Sequence, residues 1–239
     1  MAERFRDKVV FIAGGTGGLG RAVSLAFLQE SARVMVTYRR KEEVAAVVRD
    51  ASGLPGSLSG LELDVTDETA TQQCIESVTA DSGGIDILVN AVGGYAGGTP
   101  LWSTPPDVWE RMMALNLRSG YALCRAVVPS MLNRGSGWIV NVASRAAFDH
   151  AAGAAAYAAS KAAAVAMMDS LAADVRGKGI RVNSVIPSII DTEANRKAMP
   201  GADFAKWPRP EEIAKVILFL CSDDARLIHG ASVPVYGDT

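Results

Sequence analysis

Short apolar runs alternate along this chain with longer stretches in which apolar positions recur every three or four residues. The runs Val9–Ala13, Arg33–Thr37, Leu61–Leu63, Ile85–Asn90, Trp138–Val142, Arg181–Ile186 and Ser232–Val235 are rich in β-branched residues and predict strands. The stretches Gly18–Glu30, Glu42–Ala51, Glu68–Ala80, Pro106–Arg134, Ala155–Lys178 and Glu211–Ser222 predict helices. Strands that are apolar on both faces need cover on both faces, which the intervening helices supply. With right-handed crossovers the pattern predicts a doubly wound α/β fold: a parallel sheet of about seven strands with helices on each side. The alternation runs to the last residues, so a single domain over 1–239 is expected. Only Thr192–Pro210 breaks it, punctuated by Pro200, Gly201, Pro208 and Pro210, and it reads as a loop or lid.

Composition narrows the classes. About half of the 239 residues are apolar and the net charge is −2, with no basic block, which argues against a nucleic-acid partner. No apolar run is long enough for a membrane helix, and Met1–Lys8 carries alternating charges where a signal peptide would need an apolar centre. Cys74, Cys124 and Cys221 are far apart and fit no metal or disulfide spacing, so a reducing, cytoplasmic setting is expected, with no metal.

Four places carry candidate chemistry. Ala13-Gly14-Gly15-Thr16-Gly17-Gly18-Leu19-Gly20 joins the first strand to the first helix. Glycines there let the backbone turn tightly and approach a pyrophosphate, while the helix start offers free N–H groups. At the end of the second strand, where sites preferring NAD place a carboxylate, the chain reads Tyr38-Arg39-Arg40. A guanidinium suits a 2′-phosphate, so NADP(H) is favoured over NAD(H). Tyr157 and Lys161 lie four apart on a helix and so share a face, where an ammonium would favour the phenolate. Ser144 ends a strand, at the sheet edge that lines ligand crevices.

Together these features resemble the short-chain dehydrogenase/reductase family, in its compact single-domain Rossmann form, over nearly the whole chain. Gly14, Gly18 and Gly20 match the family's T-G-x-x-x-G-x-G motif, with Ala13 in place of Thr. Asp64-Val65 resembles the adenine-contacting pair, and Asn90-Ala91-Val92-Gly93 a changed N-N-A-G. Asn116 matches the Asn of the long helix, Ser144 precedes Tyr157 by the family's thirteen residues, and Asn183–Thr192 resembles the segment around the nicotinamide. The resemblance implies that Tyr157 is the general acid–base and that Lys161 lowers its proton affinity and binds the nicotinamide ribose. It further implies that Ser144 polarises the substrate carbonyl and that Asn116 holds a relay water. Cofactor contacts are expected from Gly14, Thr16, Gly17, Gly18, Leu19, Gly20, Arg39, Asp64, Val65, Asn90, Tyr157, Lys161, Ile190 and Thr192. With Ala13 and Ala91 lacking polar side chains, the two cofactor loops are expected to meet through apolar or backbone contacts.

The implied substrate is a small carbonyl or alcohol compound. Its walls are expected in Gly93–Trp102, Arg145–His150, Ser188–Ile190 and the lid around Met199, Phe204 and Trp207. Arg145 reads either as a contact for an anionic group or as a salt-bridged turn residue. Family members commonly pair the Pro106–Arg134 helix and the Ala-rich helix after Ala155 across subunits, so a homo-oligomer, dimer or tetramer, is implied. Two other functions stay open from the residues: a dinucleotide-binding regulator or scaffold without turnover, and a non-redox reaction such as dehydration or epimerisation.

Overall fold

The computed structural model describes residues 3–239, so the first two positions of Met1–Lys8 lie outside the described residues. Seven strands, β1 (Val9–Ala13), β2 (Arg33–Tyr38), β3 (Ser57–Glu62), β4 (Ile87–Asn90), β5 (Gly137–Val142), β6 (Ile180–Pro187) and β7 (Ser232–Val235), form one sheet. Its order is β3-β2-β1-β4-β5-β6-β7 and every pairing is parallel. The helices are α1 (Gly18–Gln29), α2 (Lys41–Asp50), α3 (Glu68–Ser82), α4 (Pro106–Met113), α5 (Ser119–Arg134), α6 (Ala155–Asp174), α7 (Glu193–Ala198) and α8 (Pro210–Leu220).

Strand periodicity divides the core into two layers. On β1, Val10 and Ile12 face the layer that holds Val23 and Phe27 of α1 and Ile213 and Ile217 of α8. Val9 and Phe11 face the other, with Ile75 of α3, Leu123 and Val127 of α5 and Met168 of α6. All five residues of β1 are buried, as a strand covered on both faces requires. The strand order reverses between β1 and β4, and a crevice opens there beyond the carboxyl ends of the strands.

The structure departs from the expected elements where local composition hides the state. β3 begins at Ser57, well before Leu61; it is an edge strand in which Ser57, Ser59, Gly60 and Glu62 are exposed on one face or the other, so its pattern is mostly polar. The stretch Pro106–Arg134 is interrupted by a π-helical turn at Ala114–Arg118. α6 stops at Asp174 because Gly177 and Gly179 take left-handed φ values of 77° and 76°. Within 192–210 the chain forms α7, whose N-cap Thr192 accepts a hydrogen bond from the Asn195 amide at 3.3 Å. No helix among the described residues is long and apolar enough to cross a membrane.

Candidate active site

The turn between β1 and α1 is built on backbone contacts. Gly14 has φ +73°, and a Cβ on Gly20 would collide with the Gly14 carbonyl. A Cβ on Gly18 would lie 2.8 Å from the Thr192 methyl, so the segment after β6 closes against this turn. Gly17 caps α1 without a side chain, leaving the helix's first N–H groups uncapped by one. From β2, the Thr37 hydroxyl accepts the Gly14 N–H at 2.9 Å. The two loops meet as expected: Ala91 N–H donates to the Ala13 carbonyl at 2.9 Å, and the Val92 side chain packs on Gly14.

Beside this turn lies a cavity of about 440 Å³, walled by Gly14, Thr16, Gly17, Tyr38, Arg39, Arg40, Glu43, Asp64, Val65 and the Ala91–Gly93 loop, among others. Glycine backbone free of side chains, helix-start N–H groups and a guanidinium at one wall fit an elongated phosphate-bearing dinucleotide. Arg40 pairs with Glu43 at 2.6 Å, while Arg39 has no carboxylate within 4 Å among the described residues. Hydrogen bonds from Thr66 hold the Asp64 carboxyl below its usual range, with a smaller push from Arg39. Asn90 is buried beside the cavity: its Nδ2 donates to Asn141 Oδ1 at 3.0 Å and its Oδ1 accepts the Val92 amide at 3.2 Å, so its side chain braces the β4 loop. Leu19 is buried in the core, and Ile190 accepts a bond from Asn195 at 2.8 Å through its carbonyl.

Ser144, Tyr157 and Lys161 converge past the end of β5. Ser144 follows that strand as the cap of a short turn, its Oγ accepting the Ala146 amide at 3.2 Å. Burial raises the Tyr157 proton affinity, and the neighbouring Ser144 hydroxyl opposes the rise. Lys161 shares the Tyr157 face of α6, yet its ammonium is bonded to the Val142 carbonyl at 3.0 Å. Burial is the largest influence on the phenol in the protein alone. Burial also pushes Lys161 down to about 8.

Asn116 sits in the π turn, a frequent device for aiming a functional side chain inward. Its Oδ1 accepts the Gly94 amide at 2.9 Å, and its Nδ2 donates to the Gly94 carbonyl at 3.1 Å and to Ser160 Oγ at 3.0 Å. A Cβ on Gly93 would lie 3.0 Å from Asn116 Oδ1 and 3.1 Å from Lys161 Nζ, so Gly93 links the cavity to this pair.

Of the expected substrate walls, Arg145 is held by Asp149 at 3.2 Å, by the Tyr236 ring and by the Thr239 carbonyl. Ser188 turns its hydroxyl to the Tyr236 carbonyl at 2.7 Å. Tyr95 was hidden within the Gly93–Trp102 span: its ring meets that of Tyr157 edge-on, with centroids 5.0 Å apart. Nothing in the spacing marked it, nor Thr37 and Glu43 at the cavity wall, because the contacts join distant parts of the chain.

The depressed Lys161 pKa has a measurable consequence. Because the folded state holds this group below its unfolded value, the cost of burying the charge is present in full below about pH 8 and vanishes above the unfolded value. Stability of the cofactor-free protein is expected to rise between those limits. Lys161→Met is expected to raise Tm at pH 7, by up to about 3 kcal/mol of stability, with the gain shrinking toward pH 10. An unchanged or lower Tm at pH 7, read by calorimetry, would contradict a charged, desolvated lysine.

The family model for short chain dehydrogenases matches residues 8–203. A 3-oxoacyl-[acyl-carrier-protein] reductase of Thermotoga maritima is 34% identical over 98% of this chain and 98% of its own. A D-threitol dehydrogenase of Mycolicibacterium smegmatis is also 34% identical, over 98% of this chain and 93% of its own. Among solved structures, an NAD+-bound xylitol dehydrogenase superposes with a TM-score of 0.90 at 26% identity, covering 98% of this chain and 99% of that one. ElxO with NADP bound gives 0.90 at 27%, covering 96% and 97%. The chain belongs to the short-chain dehydrogenase/reductase family. It is an oxidoreductase on a fold that binds a nicotinamide dinucleotide.

Proposed function

We propose that the protein transfers a hydride between NADP(H) and a carbonyl or alcohol group, with Tyr157 as general acid–base. The observation that carries this reading is the convergence of Ser144, Tyr157 and Lys161 past the end of β5, linked through Gly93 to the glycine-lined cavity. The bound nicotinamide supplies or accepts the hydride. The glycine turn would hold the pyrophosphate, Arg39 the 2′-phosphate and Asp64-Val65 the adenine side.

The protein's own groups handle the proton. Tyr157, whose phenol burial favours, donates its proton to the carbonyl oxygen in reduction; in oxidation it must first lose that proton, and the phenolate then accepts the alcohol's proton. The Ser144 hydroxyl, beside the phenol, steadies the oxygen on which charge develops. The Lys161 ammonium, one turn along α6, keeps a positive charge at the same wall, and Asn116 fixes the loop that faces it. Assembly as a homo-oligomer through α5 and α6 fits the apolar surface groove that Cys124, Val128, Met167 and Leu171 form between them.

Absorbance at 340 nm with a panel of ketones, aldehydes and alcohols tests the reading. Stoichiometric NADPH oxidation with ketone reduction is expected. Cofactor binding without turnover would favour the regulator, and product without net cofactor change the non-redox reaction.

A further inference from the structure

Eleven large apolar side chains are exposed among the described residues, and six of them, Tyr95, Leu101, Trp102, Phe148, Ile189 and Met199, fall in the segments that follow β4, β5 and β6. In a parallel sheet these segments leave from one edge, the edge that carries Ser144. Scattered exposed apolar residues need no explanation, but a concentration around a crevice marks a binding surface. Trp102 is 88% exposed and Tyr95 68%.

Tyr95 ties this surface to the reacting groups. Its ring stands edge-on to Tyr157, at an interplanar angle of 77°. The ring's hydroxyl end lies over Gly97, where an added Cβ would meet it, and Gly97 does not take a left-handed φ. The glycine there makes room for the ring and is not required by a turn. Cations around the same edge are largely matched, Arg145 by Asp149, Arg196 by Asp191, Lys197 by Glu193 and Lys206 by Asp203. Arg111, on the wall of an adjoining cavity that Tyr95 also lines, has no such partner among the described residues.

We propose that the segments after β4, β5 and β6 form an apolar collar that takes the hydrocarbon part of an alicyclic or aryl carbonyl substrate, with Tyr95 orienting that ring against Tyr157. The proposal rests on the redox reading above and names its substrate class. Tyr95 is a specificity residue: its exposed ring offers an edge or face to the substrate and carries no proton in the reaction.

The test measures kcat and KM with NADPH for cyclohexanone and acetophenone against hydroxyacetone and pyruvate. Wild-type protein is expected to favour the two ring ketones by tenfold or more in kcat/KM. Tyr95→Ala is expected to lower kcat/KM for the ring ketones about tenfold, the scale of one aromatic contact, through KM, and to change hydroxyacetone little. Tyr95→Phe should keep the preference, and Gly97→Ala, which displaces the ring without removing it, should lose part of it. Equal effects of Tyr95→Ala on all substrates, or a preference for hydroxyacetone, would overturn the proposal. So would a preference for pyruvate that Arg111→Ala abolishes, which would assign the site to an anionic substrate. Trp102→Ala that lowers the solution mass without altering kinetics would make the collar a contact between copies and overturn it as well. If NADPH binds but none of the carbonyls is reduced, the redox reading fails, and the collar's assignment with it.

Discussion

Tyr157→Phe is expected to lower kcat by about 10²- to 10⁴-fold, the usual contribution of a positioned proton donor, while NADPH binds as before. The substitution is nearly surgical. The ring stays, and with it the edge-on contact to Tyr95. The Lys161 ammonium is bonded to Val142 and not to the phenol, so its anchor survives. What is lost is one desolvated hydroxyl, whose proton affinity burial raises and the nearby Ser144 moderates. In the protein alone that hydroxyl stays protonated through neutral pH, the form that donates to a carbonyl. Near-normal turnover in the variant would remove Tyr157 from the reaction. Matching losses of turnover and cofactor binding, read by fluorescence quenching, would mean a damaged cavity in place of a missing proton.

Much of the sheet was legible because buried parallel strands must be apolar on both faces. Val9–Ala13 is an uninterrupted apolar run flanked by polar residues and could be little else. β3 was read short because an edge strand with one open face has no such requirement. α7 was missed because Pro200 and Gly201 dominate the impression of its segment, whereas the Thr192 cap and the Glu193–Lys197 pair act over one turn and a half. At the site, motif spacing located Ser144, Tyr157 and Lys161, since residues on one strand end and one helix face keep their relation under any packing. It could not show that Asn116 ties Gly94 to Ser160, that Asn90 is committed to Asn141, or that burial raises the proton affinity of the phenol. Those depend on distances between segments more than twenty residues apart and on solvent exclusion, neither of which a spacing encodes.

Arg39→Ala is expected to raise KM for NADPH by about 10- to 100-fold and to leave KM for NADH within about threefold, the loss of one or two charge-assisted hydrogen bonds. The asymmetry follows from which arginine is free. Arg40 is held by Glu43, and that carboxylate also accepts a bond from Thr16 at 3.4 Å, so the Arg40 charge is answered within the protein. Arg39 stands at the same wall beside Tyr38 without a carboxylate partner among the described residues, and it is strong enough to act on Asp64. A 2′-phosphate is the part of the dinucleotide that distinguishes the two cofactors, and a planar guanidinium meets it through paired N–H groups. Screening predicts that the wild-type preference for NADPH shrinks as salt is raised and that the variant shows little such dependence. Glu43→Gln, which releases Arg40, is expected to shift the preference the other way, toward tighter NADPH binding. Equal use of both cofactors by the wild-type protein, or an Arg39→Ala effect of the same size on each, would assign the 2′-position to other groups and return Arg39 to the solvated surface.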